Sequence, residues 1–329
     1  MKKTIAAIPP ALMALFAAFV LSAVVFGAAP AAEAAYPDNT ITVHVPWNAG
    51  SNTDMQIRLF QPFLKKHMPG NPNIIIVNTG GGSGTIGTMA FLNEKPDGYS
   101  ILFTLPTPIV FKPLSGGLKY TFDDLQGVAR FSAAPMLLAV RDDAPYKNAA
   151  ALIEHIKANP SKFTFAHAGS GGIAHLAFEK FLFGEKLKAI NVPFAGGTAE
   201  CYSAVMGGHV ESYVPGLQDF AGREGIRAII NLGSPNEALA GVPTLADLGY
   251  EGYVTDNFSG FYFKKGVDRE VVKVWESAVQ SALNDPEFQE TSKKAGLETS
   301  FAPSAEFHDQ VLQAIESSYG VMKEMGLAK

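Results

Sequence analysis

An α/β fold divided over two lobes is predicted by three observations. Strand-like and helix-like runs alternate along most of the chain, which argues for largely parallel sheets flanked by helices. Glycine-rich segments stand where several strands hand over to helices, a place at which backbone N–H groups can face a ligand. The body behind a leader-like N-terminus exceeds the usual size of one hydrophobic core, so two lobes are the natural expectation.

The elements follow in order. Met1-Lys2-Lys3, the apolar run Ala11 to Ala29 and the small residues Ala32-Glu33-Ala34 read as an export signal cleaved near Ala34, the alternative being an uncleaved anchor. Thr40 to Val45 is β-rich, Asp54 to His67 spaces Ile57, Phe60 and Leu64 as a helix does, and Asn73 to Val77 is again strand-like. Thr85 to Asn93 reads as a helix, stopped by the turn Pro96-Asp97-Gly98 before a strand from Tyr99 to Thr104. Strands are expected at Met136 to Val140, Phe163 to Ala166, Ala189 to Val192, Ile226 to Leu232 and Phe258 to Phe263. Helices are expected at Ala149 to Ala158, Ile173 to Phe183 and Thr198 to Met206, then at Arg269 to Leu283, Pro286 to Ala295 and Ser304 to Met325.

Composition excludes several classes. Cleavage near Ala34 leaves 295 of 329 residues and removes two lysines and one glutamate, taking the formal charge from −5 to −6. With no Lys/Arg run or basic stripe, nucleic acid is a poor partner. Cys201 is the only cysteine, so a disulfide scaffold is excluded. The seven histidines show neither H-E-x-x-H nor a Cys/His cluster, and no metal is expected.

Three glycine-rich segments carry the candidate chemistry: PWNAGSNTD from Pro46, GGGSGTIG from Gly80 and AGSGGIAH from Ala168. Such loops suit an anion, because glycine admits close backbone approach and a helix N-terminus presents unsatisfied N–H groups. Gly82 to Gly87 satisfies G-x-G-x-x-G, yet no acid follows at the expected strand end, which weakens a dinucleotide reading. Ser170 lies between adjacent glycines and not in G-x-S-x-G, so a hydrolase would have to assemble its triad from His167, His175 and distant acids. Asp54 reads either as a dipole-favoured helix-start residue or as a holder of water or a ligand ammonium. Trp47 and Phe194 read either as pocket walls or as plain packing.

Five blocks in order, PWNAGSNTDMQIR from Pro46, VNTGGGSGTIGTMAFLNEKPDGYSILF from Val77, FTFAHAGSGGIAHLAFEKF from Phe163, VPFAGGTAECYSAVMGGHVE from Val192 and GVPTLADLGYEG from Gly241, resemble the Bug/TctC family. These are extracytoplasmic receptors of tripartite tricarboxylate transporters, and the resemblance covers nearly the whole mature chain. It implies a two-lobed periplasmic binding protein, type II-like, with a mostly parallel sheet and flanking helices in each lobe. Lobe 1 would comprise residues 36–135 and 262–329 and lobe 2 residues 136–261, with Met136 to Val140 and Phe258 to Phe263 as the crossings. The implied protein is a monomeric, cofactor-free receptor for a small organic carboxylate, serving the transporter's membrane subunits and not acting as an enzyme. A secreted α/β hydrolase-like or nucleotide-binding enzyme remains the alternative. Ligand contacts implied by the family are Asn48, Ala49, Gly50, Ser51, Asn52, Thr53 and Asp54 in a first loop and Gly82, Ser83, Gly84, Thr85 and Ile86 in a second. A third loop supplies Gly169, Ser170, Gly171, Gly172 and His175, and a fourth Phe194, Gly196, Gly197 and Thr198. The first loop departs from the family's P-F-x-P-G-G pattern at Trp47, Asn48, Ala49 and Ser51, which implies a ligand more hydroxylated or differently sized than a simple dicarboxylate.

Overall fold

A computed structural model describes residues 36–194 and 197–328, so the expected leader and Gly196 lie outside the described residues. The first βα run comprises β1 (Ile41–Val45), α1 (Asn52–His67), β2 (Ile74–Asn78), α2 (Thr85–Phe91) and β3 (Ser100–Thr104). An irregular stretch with a wide helical turn at Thr107–Phe111 leads to β4 (Leu125–Pro135). The second run is β5 (Leu137–Arg141), α3 (Ala149–Ala158), β6 (Thr164–His167), α4 (Ile173–Gly184), β7 (Ile190–Pro193), α5 (Thr198–Met206), β8 (Ser212–Tyr213), α6 (Leu217–Phe220) and β9 (Ile226–Asn231). The chain then returns through β10 (Asp256–Lys264), α7 (Arg269–Leu283), α8 (Pro286–Lys294), β11 (Ala302–Pro303) and α9 (Ser304–Glu324).

These strands form two sheets, ordered β11-β4-β10-β3-β1-β2 and β7-β6-β8-β5-β9. The α/β class holds, but strand direction is more mixed than the alternation implied. β1 runs parallel to β2 and β3, and β6 to β7 and β8, whereas β10, β4, β11, β5 and β9 join antiparallel. The antiparallel members are largely those that carry the chain out of one sheet and back, so they cannot follow the βα handedness of the rest. β4 is not foreseen from sequence. Its pattern LQGVARFSAAP is buried on both faces, which removes the alternation that marks a half-buried strand.

The chain changes sheets twice. It leaves between Pro135 and Met136 and returns between Thr255 and Asp256, so β10 lies wholly in the six-stranded sheet and the return precedes Phe258. The two crossings lie side by side: the Met136 N–H donates to the Thr255 carbonyl at 3.1 Å, the Leu232 N–H to Met136 at 2.9 Å and the Thr255 N–H to Leu232 at 2.8 Å. Asp256 ties the return down by accepting from the Ser234 N–H at 2.8 Å and its hydroxyl at 2.6 Å.

An aromatic core anchors α1 and α7 to the first sheet. Phe60 on α1 meets Phe131 at 4.9 Å and Phe288 at 5.0 Å between ring centroids, and Phe261 meets Phe103 at 4.9 Å and Trp275 at 5.6 Å. Such pairs add about 0.5–1.5 kcal/mol each beyond the area they bury. Phe60 is fully buried at the centre of this set. Phe60→Ala is therefore expected to cost roughly 3–5 kcal/mol in urea unfolding. A loss under about 1 kcal/mol would contradict the placement of α1 on this core.

Candidate functional site

The segments that follow β1, β2 and β3 of one sheet and β6, β7 and β8 of the other come together at the strands' C-terminal ends, the region where α/β sheets bind ligands. A cavity of about 470 Å³ lies there, lined by Trp47, Ser83, Thr107 and Lys112 from the first sheet's connections and Asn257 from its strand β10. Met136, Ala168, Gly169, Ser170, Gly172, Ile173, Ala174, Thr198, Val214, Gly216 and Asp219 complete it from the second. A larger surface cavity of about 580 Å³ beside Arg130 and Glu298 draws in none of the glycine loops.

Of the residues singled out from sequence, Trp47, Ser83, Gly169, Ser170, Gly172 and Thr198 line this cavity, so Trp47 forms part of its wall. Asn48, Ala49, Gly50, Ser51, Asn52, Thr53, Asp54, Gly82, Gly84, Thr85, Ile86, Gly171, His175, Phe194 and Gly197 do not. The first loop instead shapes the cavity's rim. Asn48 lies across Gly80 of the second loop, and Asn52 donates to Gln218 of the opposite sheet's α6 at 3.4 Å. Phe194 packs on the cluster around Ala166, Cys201 and Tyr213, which decides for packing over a pocket wall.

Asp54 organises the first loop from within. Its side chain is 2% exposed, and its oxygens accept from the Gly50 N–H at 2.8 Å, Arg58 Nε at 2.9 Å and Asn78 Nδ2 at 3.0 Å. Burial alone would raise its pKa, but bonds from Arg58, Gly50 and Asn78 outweigh that and hold it below the ordinary value. The carboxylate is spent on the loop, which removes the apparent conflict of an acid beside an anion site. Ser51 caps α1 by accepting from the Asp54 N–H at 3.3 Å, leaving the N–H groups of Asn52 and Thr53 as donors that the helix itself cannot satisfy.

The third loop rests on two buried histidines. The rings of His167 and His175 stack at 4.1 Å, inclined by 21°. His167 Nδ1 lies 3.0 Å from the Gly169 carbonyl, which can only accept, so that nitrogen carries the proton. His175 Nδ1 accepts from the Gly171 N–H at 3.1 Å, which places its proton on Nε2, 3.6 Å from Glu179. Burial, reinforced by the neighbouring His175, pushes the His167 pKa down to about 4. Both imidazoles are thus committed to the loop backbone and neither serves Ser170 as a base. The Gly171 N–H, expected to face a ligand, is held by His175, and Gly171 keeps a left-handed φ of +71° that a side chain would strain.

The second loop has the glycine spacing of a dinucleotide fingerprint without its chemistry. A Cβ at Gly87 would sit 2.6 Å from Pro46 Cα, so this glycine permits α2 to press against the first loop. No acid stands at the end of β3, where Thr104 is buried and Thr107 lines the cavity.

Sequence reasoning missed Lys112 and Asp219. Lys112 follows the wide helical turn, and Asp219 sits on the four-residue α6, so neither lies in a glycine block or a periodic pattern. Asp219 borders the open cleft, yet the protein mass around it raises its pKa, an effect only partly offset by Thr198 and Arg223. Its Oδ2 is 3.5 Å from the Thr198 hydroxyl.

The family model for the tripartite tricarboxylate transporter family receptor, TctC, matches residues 58–327. Protein BugT of Bordetella pertussis is 26% identical over 326 residues, covering 96% of this chain and 97% of that protein. A TctC solute binding protein from Polaromonas, solved without ligand, superposes with a TM-score of 0.80 at 25% identity, over 88% of this chain and 99% of that one. An adipate-bound protein of Rhodopseudomonas palustris shares the fold at a TM-score of 0.70 and 23% identity, over 89% and 99% of the two chains.

Two tests concern the loop supports. Asp54→Asn should cost roughly 1–3 kcal/mol, since an amide cannot accept from three donors at once. Because the folded pKa is depressed, that stability is present above the unfolded value of about 3.9 and is lost as pH falls below it. The gap between wild type and variant should therefore be full at about pH 6 and close on acidification below about pH 4; a pH-independent gap would exclude a charge-based role. His167 also has a depressed pKa, so wild type should lose stability as pH falls from about 6.5 toward 4. Measured over that window, His167→Gln should show the shallower slope, and identical slopes would mean that His167 is not held neutral.

Proposed function

The chain belongs to the TctC family of tripartite tricarboxylate transporter receptors, and on that premise we propose that it captures a small organic carboxylate in the cavity between its two sheets. The observation that carries this reading is the lining: hydroxyls of Ser83, Thr107, Ser170 and Thr198, loop amides around Gly169 and Gly172, and one cation, Lys112, drawn from both sheets. Carboxylates bind well to such donors, because charge-assisted hydrogen bonds are short and strong, while the scarcity of cations keeps release easy. The adipate complex of the Rhodopseudomonas palustris neighbour supports a carboxylate as the ligand class. The enzyme alternatives draw no comparable support, since the histidines are spent on the third loop and the second loop lacks a ribose-binding acid.

Each sheet with its helices forms one lobe, and the paired strands around Met136 and Thr255 act as the hinge. The ligand draws the lobes together by its greater affinity for the closed arrangement. The protein is exported after cleavage near Ala34, acts in the periplasm as a monomer and passes its ligand to the membrane subunits of a tripartite transporter. The residues of the first loop that stand at the rim, Asn48 to Thr53, meet the ligand on closure. His175 serves by holding Gly171 and not by touching the ligand.

A thermal-shift and calorimetric screen of ligand-stripped protein against small carboxylates tests this function. A true ligand should stabilise by RT ln(1 + [L]/Kd), about 2.7 kcal/mol at a hundredfold excess over Kd. Binding only of neutral sugars or cations would overturn the reading. Ser170→Ala should weaken the best ligand roughly tenfold to 150-fold, the equivalent of about 1.5–3 kcal/mol for a hydrogen bond to a charged group. Its melting temperature should stay near wild type, because Ser170 is an exposed loop residue. Unchanged binding by the folded variant would remove the third loop from the site.

A further inference from the structure

The proposed cavity is lined by two opposite charges, Lys112 and Asp219, that among the described residues form no direct ion pair with each other or with a neighbour. Lys112 is half-buried in its lining and, among the described residues, has no ion-pair partner. Asp219 lines the same cavity, and its only side-chain hydrogen bond among the described residues is the long contact from Thr198. Arg223 acts on the Asp219 charge from a distance, partly offsetting the rise in its pKa, but forms no ion pair with the carboxylate. Arg223 lays its guanidinium over the Tyr202 ring at 4.8 Å and directs Nε to the Asp219 backbone carbonyl at 3.4 Å, not to the carboxylate. Asp54, the acid of the first loop, is consumed by Gly50, Arg58 and Asn78.

A dicarboxylate would bring two negative charges into a cavity already carrying one of each sign, and closure would desolvate the excess. A ligand with one carboxylate and one ammonium leaves the closed cavity neutral, with each ligand charge opposite a protein charge. Building on the carboxylate reading above, we propose that the ligand is an amino-carboxylate whose ammonium is received by Asp219 and Thr198 while its carboxylate faces Lys112 and the serine-bearing loops. The raised pKa of Asp219 accords with this: the protein mass around the exposed carboxylate disfavours its charge, and an arriving cation offsets that. It also defines the rival, in which a protonated Asp219 donates to a second ligand carboxylate.

Matched pairs decide between them. Amino acids and ω-amino acids of two to six carbons, each beside its des-amino acid and the dicarboxylate of equal length, are titrated by calorimetry into stripped protein at about pH 7.4. The tightest amino-carboxylate should bind at least about tenfold more strongly than its des-amino and dicarboxylate counterparts. Asp219→Asn should reduce that preference to about threefold or less, with simple carboxylates bound as well as before or better. The variant's melting temperature checks that the fold is kept. A wild-type preference for dicarboxylates, strengthening as pH falls, would overturn the proposal, as would an amino preference that survives Asp219→Asn. Binding of no member of any set would instead defeat the carboxylate reading on which this inference rests.

Discussion

The architecture depends on one constraint, that the chain passes between its sheets twice and that both passages lie hydrogen-bonded side by side. Met136 and Thr255 share a backbone hydrogen bond, and Leu232 donates to and accepts from the same pair. With β4 and β10 antiparallel along most of their length on one side and β5 and β9 on the other, the sheets are fixed in the sense that brings their loop-bearing edges face to face. The cavity is a consequence of that geometry. A single passage would leave the second sheet free to turn, and the loops of β6 to β8 would meet nothing in particular.

Within the cavity the polar groups divide into those that face it and those that hold the facing groups in place. Asp54 gathers Gly50, Arg58 and Asn78, so the first loop is drawn onto β2 by its own carboxylate. His167 and His175 do the same for the third loop, one donating to Gly169 and the other accepting from Gly171. These supports are buried and nearly closed to solvent, whereas Ser83 and Ser170 remain exposed. The division accords with preorganisation: the entropic cost of ordering the loops is met during folding and not at the moment of binding.

Much of the fold was legible from sequence because the βα units carry strong local signals. The helices Ala149–Ala158, Thr198–Met206 and Arg269–Leu283 occupy the ranges that periodicity predicts, and most strand ranges agree to within a residue or two. Legibility ended where burial on both faces erased alternation, as in Leu125–Pro135, and where two-residue strands such as Ser212–Tyr213 owe their pairing wholly to neighbours. The return crossing also escaped, since nothing in Asp256–Lys264 distinguishes a strand that crosses from one already settled in its sheet.

By itself the sequence determined the α/β class, the order of elements, the glycine loops between strands and helices, and, through five ordered blocks, the receptor family. Those properties reside in short segments and survive being read one segment at a time. Only the tertiary structure decided which loop atoms face the cavity and which are spent on supporting it, because that depends on partners distant in sequence, as Asp54 depends on Asn78. It alone brought Lys112 and Asp219 to one cavity across a separation of more than a hundred positions. Charge placement in a cleft is a property of two lobes meeting, and no local pattern in either lobe encodes where the other will lie.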